Sequence, residues 1–137
     1  EARNACQVGA SLIPYKADAV VVLSQILRAQ NRAAEAVHAA EEMLKQLSEL
    51  GIEPFPLLGL YVELAEAQEI IGARDLAIGT LVRALPILRR RSDDIPDLKM
   101  RMTYLNEVPE NVRLRELSKA LGIDLSAFGA EQDRSTS

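Results

Sequence analysis

Leu64 follows Leu23 by 41 positions, and Ala77 follows Ala36 by the same 41. Val20 is matched in this way by Tyr61, Ser24 by Ala65, Ala40 by Leu81 and Met43 by Ala84. The copies even share their interruptions, at Asn31–Arg32 and at Ala73–Arg74. A repeat of this length holds one helical hairpin, which cannot bury its apolar faces alone. Neighbouring copies must stack and complete one another's core. Small residues at Ser24, Ala36, Ala65 and Ala77 let the two helices of a hairpin approach closely. Leu23, Leu27, Leu64 and Leu81 fill the space between hairpins.

The apolar spacing is helical throughout. Gly9 and Pro14 bracket a loop or helix start, and a first helix runs from Tyr15 to Gln30. A second keeps Ala36, Ala40, Met43, Leu44, Leu47 and Leu50 in phase and ends at Gly51, a residue suited to a left-handed helix end. After the Gly51–Pro56 connection, Leu57, Leu60, Tyr61, Leu64, Ala67 and Ile71 mark a third, closed by Gly72. A fourth starts near Asp75 and continues to about Ser92. Pro86 sits inside it as a possible kink, and Arg89 to Arg91 lie in its last turn, where cations suit the helix dipole. A fifth spans roughly Ile95 to Glu107 and a sixth Pro109 to Leu121. Apolar residues make up 48% of the chain but aromatics only 4%. Alanine and leucine carry the difference, and both are strong helix formers.

The segment from Val108 to Gly122, VPENVRLRELSKALG, needs its own reading. Pro109 fits a first helical position, and Glu110 places an acid at the positive end of the helix dipole. Val112, Leu114, Leu117 and Leu121 form a stripe between charged residues. Carrying the 41-residue spacing forward sets Met102 opposite Tyr61 and Leu105 opposite Leu64. The fifth helix then opens a third unit, and the sixth folds back to cover the end of the array.

Each unit resembles a tetratricopeptide hairpin. A large apolar residue precedes a small one in the first helix (Leu23-Ser24, Leu64-Ala65), Tyr61 supplies an aromatic ahead of one copy, and Ala36 and Ala77 fall early in the second helix. The units are 41 residues apart instead of the family's 34, Val20 lacks the bulky aromatic, and Gln68 stands where a packing side chain is expected. The resemblance implies an all-α fold, an α-α superhelix of about six antiparallel helices, stacked with a right hand and closed by a C-terminal capping hairpin. It divides residues 1–128 into units at about 15–51, 56–92 and 95–122, with a polar tail over 129–137. Longer, degenerate units of this kind are similar to the C-terminal helical arrays of large bacterial signalling and transcriptional regulators. A start at Glu1, without methionine, fits a piece of such a polypeptide.

Cys6 is the only cysteine, so neither an intrachain disulfide nor a thiolate zinc site is available; it reads as a small buried residue. His38 is the only histidine, has no partner of metal-ligand spacing, and reads as a surface residue. Glu63, Glu66 and Glu69 recur every three residues without the matching Glu-x-x-His helix of a bundle metal site, and read as a solvated acidic stripe. Arg89 to Arg91 are followed by Asp93 and Asp94, which argues against a phosphate patch. A net charge of -4, from 20 acids and 16 bases, argues against a nucleic-acid surface. No apolar run reaches the length of a membrane span. The expectation is a cytoplasmic, non-catalytic domain without metal, cofactor, nucleic-acid or membrane partner.

What remains is binding. A solenoid offers a groove built from the first helix of each hairpin. Asp18, Val21, Gln25 and Arg28 in the first unit, with Val62, Glu66 and Glu69 in the second, are the expected lining. That mixture suits a protein or peptide, including another domain of the same polypeptide. A regulatory scaffold is the leading expectation. A small-molecule effector site in the concavity, or an oligomerisation domain forming a homodimer, is the alternative.

Overall fold

A computed structural model of the chain contains six α-helices: α1 (Ala2–Ala29), α2 (Ala33–Leu50), α3 (Leu57–Ile70), α4 (Arg74–Asp93), α5 (Leu98–Glu107) and α6 (Pro109–Ala120). The structure describes the backbone of residues 2–126, and side chains from residue 12 to 126 except at residue 14. The expectations for the Cys6 side chain and for the tail over 129–137 lie outside the described residues.

Local chemistry explains most of the boundaries. Asn31 ends α1 with a φ of 59°, in the left-handed region that asparagine tolerates best after glycine. Gly51 ends α2 with a φ of 65°, and its N–H donates to the carbonyls of Leu47 and Ser48. Asp97 caps α5 by accepting a hydrogen bond from the Met100 N–H at 3.0 Å. Pro109 occupies the first turn of α6, where its missing N–H costs nothing. One boundary differs from the sequence reading: α1 runs continuously through Gly9 and Pro14. A proline inside a helix removes one hydrogen bond and crowds the carbonyl four residues earlier, a local cost that helix formers on both sides offset.

The helices pack largely in chain order. α1 lies against α2 and α3, α2 against α3, and α3 against α4. The small residues do what their spacing requires: Ser24, Ala36, Ala65 and Ala77 are all fully buried at helix crossings. A core of Leu58, Val62, Leu81, Leu88, Leu105 and Leu114 joins α3 and α4 to α5 and α6. Each such leucine stabilises the fold by about 1.5–3 kcal/mol relative to exposure. A second cluster of Ile13, Ala17, Met43, Leu47, Leu57 and Leu60 joins α1, α2 and α3. Gln68, the departure from a packing residue, is buried and accepts a hydrogen bond from the Thr80 hydroxyl at 2.7 Å. A polar contact between α3 and α4 therefore replaces an apolar one.

The end of the chain is arranged differently from the expectation. α6, not α5, packs against α3, and it also contacts α4 and α5. The physical cause lies in which helix has an apolar face to offer. α5 buries only Leu105 completely, whereas α6 inserts Asn111, Leu114 and Ser118. The Asn111 side-chain amide donates to the Tyr104 carbonyl at 3.0 Å and fixes the turn between them. The short α5 bridges α4 to α6, and α6 takes the place beside α3 that the repeat assigned to α5.

Candidate functional site

α3 is apolar on nearly every side, with Leu57, Leu58, Leu60, Val62, Leu64, Ala65 and Ala67 buried. Glu63 lies in the middle of this helix and is itself 0% exposed. A carboxylate stripped of water is tolerated only when paired and hydrogen-bonded. Two helices supply the partners. From α1, Arg28 Nη2 donates to Glu63 Oε2 at 2.5 Å, and Gln25 Nε2 donates to Glu63 Oε1 at 3.2 Å. From α6, Arg113 Nη2 lies 3.0 Å from Glu63 Oε1. Glu66, one turn further along α3, takes Arg28 Nη1 at 2.7 Å and Arg113 Nη2 at 2.6 Å. Two guanidinium groups therefore bridge two carboxylates, and the four formal charges cancel. Burial alone would lower the Arg113 pKa. Its hydrogen bonds and charge attraction to Glu66 and Glu63 outweigh that and hold it above the ordinary arginine value.

The network forms one end of a groove of about 320 Å³ that runs over α3 between α1 and α6. Asp18, Val21 and Gln25 form one wall, and Pro109, Glu110 and Arg113 form the other. Gly59 sits in the floor, and a Cβ there would lie in ordinary contact with Val21 Cγ2 at 3.6 Å. Exposed Phe55 and half-buried Pro56 stand at the mouth. Neither Asp18 nor Glu110 makes an ion pair among the described residues. The groove thus combines a floor left open at Gly59 beside Val21, a neutralised end and two acids on opposite rims.

The residues expected to line a groove divide into three groups. Asp18, Val21 and Gln25 lie in it. Arg28 and Glu66 belong to the ion-pair network at its end. Val62 points away from it and is fully buried in the α3–α4 core, so it offers a partner nothing. Glu69 is half-buried and outside the groove lining. The solvated acidic stripe is corrected at Glu63, which Arg28 and Arg113 draw out of solvent. Gly59, Glu63, Glu110 and Arg113 are site residues that sequence reasoning missed. One signal was present: in a helix apolar all round, any charge must be buried and paired.

Four other concavities are larger. One of about 720 Å³ opens between α2 and α4 above Tyr61, Leu64 and Gln68, with Arg83 5.8 Å from the Tyr61 ring centre. Another of about 550 Å³ lies beside Arg115 and Ile123 at the end of α6. Burial lowers the Arg115 pKa, and its guanidinium donates to Asn106 Oδ1 at 2.7 Å. Arg90 pairs with Glu53, and Arg91 donates to the Pro54 carbonyl at 2.9 Å, so these two basic residues secure the α2–α3 connection. His38 is exposed. Among the described residues there is no group of three or more His, Cys, Asp or Glu side chains placed to hold a metal ion, and no helix is long and apolar enough to cross a membrane.

No family model matches the chain, and neither a curated protein nor a solved structure matches it.

Proposed function

We propose that this domain is a tetratricopeptide-like interaction module that holds a peptide or protein segment in the groove between α1 and α6. The observation that carries the reading is the groove itself: a cleft over Gly59 of α3, between two helices locked in place by the Glu63–Glu66–Arg28–Arg113 network. Pre-organisation of this kind lowers the ordering cost that binding must overcome. Packing in chain order from α1 to α4, with α6 beside α3, supports a short superhelix whose inner surface is the groove.

The charge pattern narrows the partner. Arg28 and Arg113 are neutralised by Glu63 and Glu66, so they add no net positive charge. Asp18 and Glu110 are left on the rims, and they favour a segment that sets an apolar side chain against Val21, Phe55 and Pro56 and a lysine or arginine between the acids. A regulatory scaffold within a larger bacterial polypeptide, operating in the cytoplasm, is the setting that the family resemblance implies. Selection from a displayed peptide library tests the reading. Enriched sequences are expected to carry a basic residue beside apolar ones, and to lose binding to Asp18→Lys and Glu110→Lys variants that melt normally. Enriched peptides indifferent to both charge reversals would overturn it.

A further inference from the structure

α1 has a second apolar face. Its inner face, with Ile13, Ala17, Ser24 and Leu27, is buried against α2 and α3. Leu12, Tyr15, Ala19, Val22 and Ile26 lie on the opposite side and are all exposed, Tyr15 by 72% and Leu12 by 54%. Their spacing alternates three and four residues, which is the heptad seam by which one helix packs along another. The same alternation continues in the sequence to Ala29 at one end and to Val8 and Ala5 at the other. Isolated exposed leucines are ordinary, whereas a continuous seam on a helix already buried on its other side marks an interaction surface.

The repeat shows what kind of surface this is. Leu23, Leu27, Ala34, Glu35, His38 and Ala39 line an open cleft of about 570 Å³ between α1 and α2. Advancing each by 41 positions gives Leu64, Gln68, Asp75, Leu76, Gly79 and Thr80. All six line the cleft between α3 and α4 that α2 walls with Leu44, Lys45 and Ser48. The positions that receive a neighbouring helix in the second unit are thus repeated on the outside of the first, where no described helix covers them. Leu23 shows the difference directly: it is 43% exposed, while its counterpart Leu64 is 1% exposed.

We infer that this outer face pairs with the same face of a second copy of the chain, α1 running antiparallel to α1 about a two-fold axis at Ala19. The seam is close to symmetric about that residue. Turning it end for end sets Leu12 opposite Ile26 of the other copy, Tyr15 opposite Leu23, and Val22 opposite Lys16 at the edge of the seam. Ala19 meets its own copy on the axis, where two small side chains allow close approach. Tyr15, the most exposed large side chain of the seam, then lies over the partner's open α1–α2 cleft beside Leu23. A seam from Leu12 to Ala29 is about 27 Å long, which places the interface at the small end of specific pairs. Assembly is therefore weak and concentration-dependent. Asp18 flanks the axis, so salt that screens the two carboxylates from each other strengthens the pair. The α1–α6 groove lies on another side of α1 and stays open in the dimer, and this inference does not rest on the groove binding anything.

Sedimentation equilibrium of the full chain over a micromolar to high-micromolar series tests the pairing. The mass is expected to rise toward twice 15.0 kDa, and the double variant Tyr15→Glu, Ile26→Glu, altered only at exposed positions that face Leu23 and Leu12 of the other copy, is expected to stay monomeric with an unchanged melting curve. The register is read in a Cys6→Ser background. Ala19→Cys is expected to form a disulfide-linked dimer on mild oxidation, while Ala29→Cys, roughly 30 Å from its own copy in this alignment, does not. A chain monomeric at every concentration would overturn the inference. So would a dimer that survives Tyr15→Glu, Ile26→Glu, or one in which Ala29→Cys links as fast as Ala19→Cys.

Discussion

Replacing Glu63 by glutamine preserves the shape of the side chain and removes its charge, so it tests what holds α1 and α6 onto α3. In the native protein three donors converge on the two carboxylate oxygens: Arg28 at 2.5 Å, Arg113 at 3.0 Å and Gln25 at 3.2 Å. An amide has only one acceptor oxygen, and its NH2 would face a donor. Removing one partner from a buried charge pair costs about 3–5 kcal/mol, because the remaining charge stays desolvated. Here both arginines keep Glu66 as a partner, and their side chains are 19% and 35% exposed. Solvent screening and that remaining partner reduce the expected cost to about 2–4 kcal/mol. With a urea dependence of about 2 kcal/mol per molar, the unfolding midpoint falls by about 1–2 M. Far-UV circular dichroism in a urea titration measures it, with Glu63→Gln, Arg113→Gln completing a double-mutant cycle. A midpoint shift below about 0.3 M, or a cycle with no coupling, would show that the network contributes little and that apolar contacts alone place α6.

Three further substitutions probe the packing by independent routes. Ala77→Leu adds volume at a fully buried crossing and is expected to cost about 1–3 kcal/mol in denaturant titration; an unchanged midpoint would contradict the close approach there. Ser24 Oγ is buried with no hydrogen-bond partner, so Ser24→Ala is expected to leave stability unchanged or raise it by up to about 1 kcal/mol, and a clear loss would reveal a bond the structure does not contain. Deleting residues from Glu107 onward removes α6 and uncovers the α3–α4 core around Leu58 and Leu88. The shortened chain is expected to unfold earlier and to scatter light at concentrations where the full chain does not.

Helices were legible wherever one local signal decided the outcome. Gly51, Asn31 and Pro109 end or begin elements for reasons contained in their own backbone preferences, and the structure places them accordingly. The small residues at Ser24 and Ala77 were legible because the repeat shows each position twice. The seat of α6 on α3 was not, since it depends on the relative apolar faces of α5 and α6, which only the assembled core compares. Glu63 was hidden for a related reason. Its spacing with Glu66 and Glu69 looks like a surface stripe, and only the arrival of Arg28 and Arg113 from distant parts of the chain makes burial tolerable. Arg28 and Glu66, expected as free groove side chains, are committed to the same network. Leu23 failed in the opposite direction, because the residue that would cover it belongs to no described element of this chain.

The central claim is that a partner occupies the groove bounded by α1, α3 and α6. Titrating the 15N-labelled protein with a library-selected peptide, and following each backbone amide, tests it most directly. The largest shifts are expected at Asp18, Val21, Gln25, Gly59, Glu110 and Arg113, around the Gly59 floor and the two rims. Shifts concentrated at Lys45, Tyr61 and Arg83, in the cleft between α2 and α4, would contradict the account and move the binding surface to the other side of α3.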